Sequence, residues 1–213
     1  MAYALYDVNN NILQYGDLQE RSDWYIRGEN KEAVFVHRYK SRLNVEINPE
    51  KNYNKTAPDL VVNGVFSDLK TQNTPFFTAS KYNFNAQDSV TFNLKDALNY
   101  QRYLSHSSFL IFFWVDWVAV KMVSDIRTLS VLPCRGVWKI DFSKLNKIRV
   151  NSPIHWYNQR VREIESRPTV AADLQEFEPR LREGNNIYSI RSSINGNAAC
   201  SYVIKLSDLE RVI

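Results

Sequence analysis

The chain has 213 residues, 44% of them hydrophobic, and a formal charge of +4, a composition typical of a globular protein with a sizeable core. No apolar run reaches the roughly 18 residues of a membrane span, and the first residues lack the zones of a secretory signal. Cys134 and Cys200 are far apart, with no cysteine or histidine at metal spacing. We therefore expect reduced thiols, no structural zinc, and a prokaryotic or phage-encoded cytosolic location.

The first predicted helix follows an entry segment, residues 1–27, in which a turn at residues 7–11 joins a short strand or loop. Large apolar residues then recur at helical spacing, which predicts an amphipathic helix over residues 29–43. Glu32 falls on its apolar face. Glu29 and Glu32 also have a structural explanation, because acidic residues complement the positive end of a helix.

A short alternating strand is predicted at residues 44–48, ahead of a polar loop. Glu46 lies within it as a weaker candidate ligand or as an exposed strand carboxylate. The loop then leads to Pro58.

The stretch from Pro58 to Lys70 has the strongest local pattern in the chain. Asn63-Gly64 between two apolar runs predicts a two-residue type I′ hairpin, because both central residues need φ > 0. Counting back from this turn places Asp59 opposite Asp68. Side chains alternate between the faces of a strand, so Lys70 projects from the same face as both aspartates.

Two like charges opposite each other destabilise a hairpin by up to about 1 kcal/mol. One explanation is that both aspartates are solvated on an open face. The other is a divalent-cation site, because Mg²⁺ prefers oxygen ligands and is commonly held by one or two carboxylates. A neighbouring lysine would then orient the attacking water or stabilise charge on a phosphate.

Pro58-Asp59 followed by Asp68-Leu69-Lys70 resembles the signature of the PD-(D/E)xK nucleases, the superfamily of many restriction endonucleases and Holliday-junction resolvases. The family core is a helix, three strands, a helix and a strand, and the resemblance covers about residues 28–118. It implies that Asp59, Asp68 and the carbonyl of Leu69 bind Mg²⁺, with Mn²⁺ able to substitute. It also implies a catalytic role for Lys70, and for Glu32 on the first helix, with Glu29 as the alternative.

The segment after the hairpin supplies the candidate DNA contacts. Gln72 projects from the same face as Lys70. It could donate a hydrogen bond to a phosphate, or it is an ordinary polar residue at the end of the strand. Lys81 and Tyr82 lie in the aromatic-bearing residues 73–88, which in restriction-like enzymes approach DNA, although a covered hydrophobic loop explains them equally. Arg102 is a further candidate, or a solvated arginine.

A second helix over residues 94–104 and a buried strand over residues 108–118 complete the order expected of the family core. The second helix has apolar residues at helical spacing. The strand is continuously apolar from Phe109 to Val115, which favours burial on both faces. This order of elements and the motif point to the same family core, so each supports the interpretation of the other.

The remaining chain carries no motif. Its predicted elements are a short helix at 124–129, a strand at 137–142, helices at 153–166 and 171–183, and a hairpin of residues 187–194 with 197–205. Arg191 and Lys205 lie in that hairpin, which is a candidate DNA-recognition ribbon or an edge sheet. His155, Arg160 and Arg162 are available to solvent or DNA.

These observations predict an α/β (α+β) fold with a restriction endonuclease-like core, a central mixed sheet flanked by helices. We expect one domain over residues 1–213, with a core at 28–118 and an elaboration at 119–213 that contains a hairpin. The predicted function is Mg²⁺-dependent cleavage of double-stranded DNA by a site-specific homodimer that is not membrane-bound. The alternatives are a structure-specific nuclease and a non-catalytic nucleic-acid-binding protein.

Overall fold

A computed structural model describes residues 3–16, 22–54, 56–105, 108–156, 169–170 and 200–213, with side chains from residue 31 onward and at 3–13. In these ranges the chain forms a mixed α/β fold with three sheets. The elements are β1 (Tyr3–Tyr6), β2 (Ile12–Gly16), α1 (Ser22–Leu43), β3 (Val45–Ile47), β4 (Leu60–Val62), β5 (Val65–Gln72), β6 (Ser89–Asn93), α2 (Leu94–Asn99), β7 (Leu110–Asp116), β8 (Lys121–Ser124), β9 (Thr128–Ser130), β10 (Arg135–Asp141), α3 (Phe142–Arg149), β11 (Ile154–Trp156), β12 (Cys200–Lys205) and β13 (Glu210–Arg211). None of the described helices combines the length and apolarity that a bilayer crossing requires.

The largest sheet is mixed and has six strands in the order β13-β10-β7-β5-β4-β3. The strands β3, β4 and β5 are antiparallel neighbours, β5 runs parallel to β7, and β10 returns antiparallel beside β7. The continuously apolar β7 lies at its centre and is buried on both faces, as its sequence predicts.

One face of this sheet is covered by α1. Phe35 and Tyr39, one turn apart on the helix, are buried against Leu60 and Leu69 of the hairpin and Phe112 of β7. The helix is amphipathic as predicted, but it begins at residue 22 rather than 29. Glu32 precedes Phe35 by about one turn, on the same side of α1, and this spacing carries its carboxylate to the edge of the core.

The other face packs against α2, α3 and a three-stranded sheet in the order β11-β12-β6. Apolar side chains of the two sheets and the helices share one core, which includes Phe92, Phe113, Phe142 and Tyr202. The strand β6, between the hairpin and α2, was absent from the sequence prediction. Because α2 follows β6 directly, its first turn is held over the same face that carries Asp68.

The N-terminal strands form a third sheet, in the order β2-β1-β8-β9. The predicted turn at residues 7–11 is confirmed, since the Asp7 carboxylate accepts hydrogen bonds from the backbone N–H groups of Asn9 and Asn11. The apolar side chains of Leu5, Phe77 and Met122 pack together beneath this sheet.

Two predicted helices of the later chain are wrong where the structure describes them. Residues 124–129 form the turn and strand of the β8–β9 hairpin, because Met122 and Leu129 pair across it to bury one face. Residues 154–156 form β11, whose alternate side chains Ile154 and Trp156 enter the core. The strand at 137–142 is confirmed as β10, and α3, capped by Asp141, was not predicted.

Other late predictions lie outside the described residues. They comprise residues 157–166 of one helix, the helix at 171–183, and residues 187–194 and 197–199 of the second hairpin. Residues 200–205 form β12, which pairs with β6 and β11.

Candidate functional site

The hairpin that carries the motif has the predicted turn and register. Asn63 and Gly64 both have positive φ, at 50° and 78°, as a type I′ turn requires. Val62 pairs with Val65, and Leu60 pairs with Ser67. The ladder ends there, so Asp59 lies one residue before β4, at the position facing Asp68.

The Asp59 carboxylate replaces the next backbone hydrogen bond between the two strands of the hairpin. Its Oδ2 accepts a hydrogen bond of 3.1 Å from the backbone N–H of Leu69. The carbonyl of Pro58, the backbone group that would otherwise face Leu69, accepts from the Nδ2 of buried Asn48 at 3.0 Å. Asp59 is therefore fixed from both neighbouring strands.

Lys51 lies between Asp59 and the carboxylate from α1. Its Nζ is 2.7 and 2.8 Å from the two oxygens of Glu32 and 2.5 Å from Oδ1 of Asp59. The lysine reaches the site from a 3₁₀ turn that begins after Asn48, whose side chain caps that turn. Glu32 thus belongs to the site through Lys51.

Lys70, like Lys51, forms ion pairs with two carboxylates. Its Nζ lies 2.6 Å from Oδ2 of Asp68 and 2.6 Å from Oδ2 of Asp96, in the first turn of α2. The ammonium also lies 5.5 Å from the ring centre of Tyr100, one turn further along the chain. Asp68 is 2% exposed, so its Oδ2 meets the Lys70 ammonium away from water.

Burial and neighbouring charges push the pKa values of the two aspartates in opposite directions. Burial raises the pKa of Asp68 to about 8; Lys70 opposes this, and the charges of Asp59 and Asp96 add to it. Burial also acts on Asp59, but Lys70 and Lys51 outweigh it and hold the pKa of Asp59 below its usual value. The surroundings of Asp59 therefore favour its ionised form, and those of Asp68 favour its protonated form.

The pKa values of the remaining polar groups of the site are raised. Burial, followed by the charge of Asp59, raises the pKa of Glu32. Burial disfavours the charged forms of Lys51 and Lys70, but their carboxylate partners prevail and raise both lysine pKa values. Burial and the adjacent carboxylates raise the pKa of Tyr100 well above its usual value. Both lysines are therefore cations at neutral pH.

The donor set of the site suits a hard divalent cation. Asp59 and Asp68 supply carboxylate oxygens, the ligands that Mg²⁺ prefers, and a neighbouring lysine holds each carboxylate in place. The Leu69 carbonyl points to the same side of β5 as its N–H, toward Asp59, because both groups of one residue share a direction in a strand. No ready-made group of three metal-binding acidic, histidine or cysteine side chains occurs in those ranges, since lysines separate the carboxylates.

The sequence-predicted site residues are only partly brought together. Asp59, Asp68, Leu69, Lys70 and Glu32 converge at one end of the hairpin.

The candidate DNA contacts lie elsewhere. The amide of Gln72 bonds the backbone of Ser89 and Thr91, joining β5 to β6. Exposed Arg102 donates to the carbonyl of Thr56 at 2.5 Å.

The other candidates that the structure describes lie outside this cluster. Lys81 is exposed on a 3₁₀ turn, and the Tyr82 hydroxyl lies 2.9 Å from Nδ1 of His155. Glu46 is exposed on the edge strand β3. The side chain of Glu29 lies outside the described part of the structure, as do Arg160, Arg162 and Arg191.

Three residues of the site were missed from the sequence: Lys51, Asp96 and Tyr100. Asp96 and Tyr100 are four residues apart on the predicted second helix, a spacing that places a carboxylate and a phenol on one side. That pattern was a usable signal. Lys51 sits in a polar loop without periodicity, and only the folded loop shows where its side chain goes.

Comparisons with models of protein families, with curated proteins and with solved structures find no match to this chain.

Proposed function

We propose that the protein is a Mg²⁺-dependent endonuclease that hydrolyses phosphodiester bonds of double-stranded DNA. The observation that supports the proposal is the convergence of Asp59, Asp68 and Lys70 at one end of a tight hairpin. Two adjacent carboxylates with opposite pKa shifts and a buried cation are costly to stability, and such arrangements cluster at functional sites.

The two aspartates and the Leu69 carbonyl would hold the cation. When bound, Mg²⁺ would polarise the scissile phosphate and lower the pKa of a coordinated water. Asp59 is ionised in advance and is held in place by the Leu69 N–H, so its carboxylate is preorganised. Asp68 would release its proton to solvent on becoming a ligand, so cation binding should tighten as the pH rises toward 8.

Lys70 would act as a fixed positive charge. Its raised pKa keeps the ammonium protonated at neutral pH, so it is unsuited to take a proton from water. The charge sits 2.6 Å from Asp68, beside the place where a phosphate oxygen would approach the cation. There it stabilises the negative charge that develops on the phosphate during attack.

The class of DNA substrate is the less constrained part of the proposal. We favour a site-specific enzyme of the restriction or homing type, because the chain beyond the core can supply elements for base readout. A homodimer would place one hairpin on each strand of a palindromic site. A structure-specific nuclease is the alternative, and cleavage of a four-way junction in preference to linear duplex would identify it.

The test is cleavage of plasmid and phage DNA by the purified chain in Mg²⁺ or Mn²⁺, with EDTA as the blank. Asp68→Asn and Lys70→Met should each lower the rate by about 100-fold or more, since the first removes a metal ligand and the second removes the positive charge that faces the reacting phosphate. Asp125→Asn, at the exposed turn between β8 and β9, is the matched control and should cleave like the wild type.

Each outcome decides between the functions. Metal-dependent cleavage that both site variants lose supports the nuclease. Wild-type cleavage by Asp68→Asn refutes the assignment of the site. DNA binding without cleavage of any duplex or junction favours a non-catalytic DNA-binding protein on the same fold.

A further inference from the structure

We infer that Lys51 is a built-in cation that limits the site to one divalent ion and keeps Glu32 from acting as a metal ligand. The inference rests on the proposed function, because it concerns how the proposed cation site is filled. It departs from the expectation that Glu32 is a direct catalytic or metal-binding residue.

The contacts of Lys51 carry the argument. One ammonium group spans both oxygens of Glu32 and the Oδ1 of Asp59, at 2.5 to 2.8 Å. These oxygens face a common point, and Lys51 Nζ lies at that point. Two carboxylates converging on one point make a site for a second divalent cation whenever no lysine fills it.

The remaining oxygens are directed toward the other side of the hairpin. Asp59 Oδ2 faces the Leu69 N–H, and Asp68 lies beyond it with Lys70. A divalent ion bound at Asp59 and Asp68 therefore leaves the Lys51 pocket undisturbed. Glu32 would act as a positioning residue that holds Lys51, and Lys51 in turn holds Asp59.

Charge balance gives the same stoichiometry. Glu32, Asp59, Asp68 and Asp96 contribute four negative charges when ionised, and Lys51 and Lys70 contribute two positive charges. One divalent cation neutralises the remainder, whereas a second would leave the partly buried cluster positive. Without Lys51 a second divalent cation would leave a net charge of +1 instead of +2, and the two converging carboxylates would be open to bind it.

The loop geometry shows that this placement of Lys51 is part of the fold. Asn48, 1% exposed, binds the Glu50 N–H through Oδ1 and the Pro58 carbonyl through Nδ2. The same side chain thus sets the turn that carries Lys51 and the backbone just before Asp59. Lys51 and Asp59 are positioned by one shared anchor.

The experiment counts Mn²⁺ ions bound to the full chain without DNA, from the free Mn²⁺ signal in electron paramagnetic resonance. The wild type should bind one ion and Lys51→Gln two. Lys51→Arg, which keeps the charge, should still bind one. The double variant Glu32→Gln/Lys51→Gln should return to one, because the second ion needs the Glu32 carboxylate.

Glu32→Gln alone supplies an independent measurement. It should weaken the binding of the single ion by about 100-fold at most, the upper end for groups behind a metal ligand. A loss above about 100-fold would make Glu32 a direct ligand and overturn the inference.

The remaining outcomes separate this inference from the proposed function. Two ions in the wild type, or one ion in Lys51→Gln with a native circular dichroism spectrum, would overturn the role of Lys51 and leave the nuclease proposal intact. If the wild type binds no Mn²⁺ at all, the proposed function fails, and this inference fails with it.

Discussion

Replacing Asp68 by asparagine should make the protein more stable at neutral and alkaline pH. The substitution keeps the shape of the side chain and removes an ionisable group that is buried almost completely. Because the pKa of Asp68 is raised, its stabilising protonated form is present at low pH and is lost as the pH rises through the folded value.

The size of the effect follows from the two pKa values. The carboxyl ionises near 3.8 in the unfolded chain and at about 8 in the fold. One unit of pKa difference corresponds to about 1.36 kcal/mol, so the wild type should lose about 4 kcal/mol relative to Asp68→Asn between pH 5 and pH 8. Lys70 keeps its contact with Asp96 in both proteins, so it remains a cation and adds no titration of its own between pH 5 and pH 8.

The assay is urea unfolding of both proteins in EDTA at pH 5, 6, 7 and 8. Asp125→Asn, in the exposed turn between β8 and β9, is the matched control, because it removes a carboxylate that is no part of the site. Its difference from the wild type should stay flat across this window. A flat difference for Asp68→Asn as well would show that Asp68 is ionised in the fold, and would refute the reasoning.

Three further substitutions test the parts that position the site, each by urea unfolding. Phe35→Ala should cost about 3 to 5 kcal/mol, because the ring is fully buried between α1 and the sheet, and a smaller cost would place α1 elsewhere. Gly64→Ala should cost about 1 kcal/mol through its φ of 78° alone, since the new Cβ meets nothing within 4 Å. Asn48→Ala should cost about 1 to 3 kcal/mol by leaving the Pro58 carbonyl unpaired, and should also weaken Mn²⁺ binding as Asp59 loses its anchor; unchanged affinity would contradict this coupling.

The hairpin could be predicted from the sequence because its determinants are local. Asn63 and Gly64 impose the turn, and the turn alone fixes which residues pair. Asp59, Asp68 and Lys70 follow by alternation along two short strands. The same locality made α1 and the buried strand β7 predictable.

The partners of the lysines could not be predicted, because they depend on contacts between distant segments. Lys70 contacts Asp96 only when β5 pairs with β7 in parallel and β6 pairs with β12. The strands β9 and β11 were mistaken for parts of helices for the same reason. They pair with β8 and β12, and short apolar runs of this kind carry no periodicity that separates strand from helix.

The placement of β7 in the six-stranded sheet bears on solubility. Its sequence from Leu110 to Val115 is apolar, rich in aromatic and β-branched residues and without charge, which is the signature of a segment that forms intermolecular β-structure when exposed. In the fold it is flanked by β5 and β10, while the two sheet edges are the three-residue β3 and the two-residue β13. Both edge strands carry exposed charged side chains, Glu46 and Arg211 among them. Short, charged edges of this kind resist the addition of a strand from another molecule, so the sheet protects its most aggregation-prone segment at the centre.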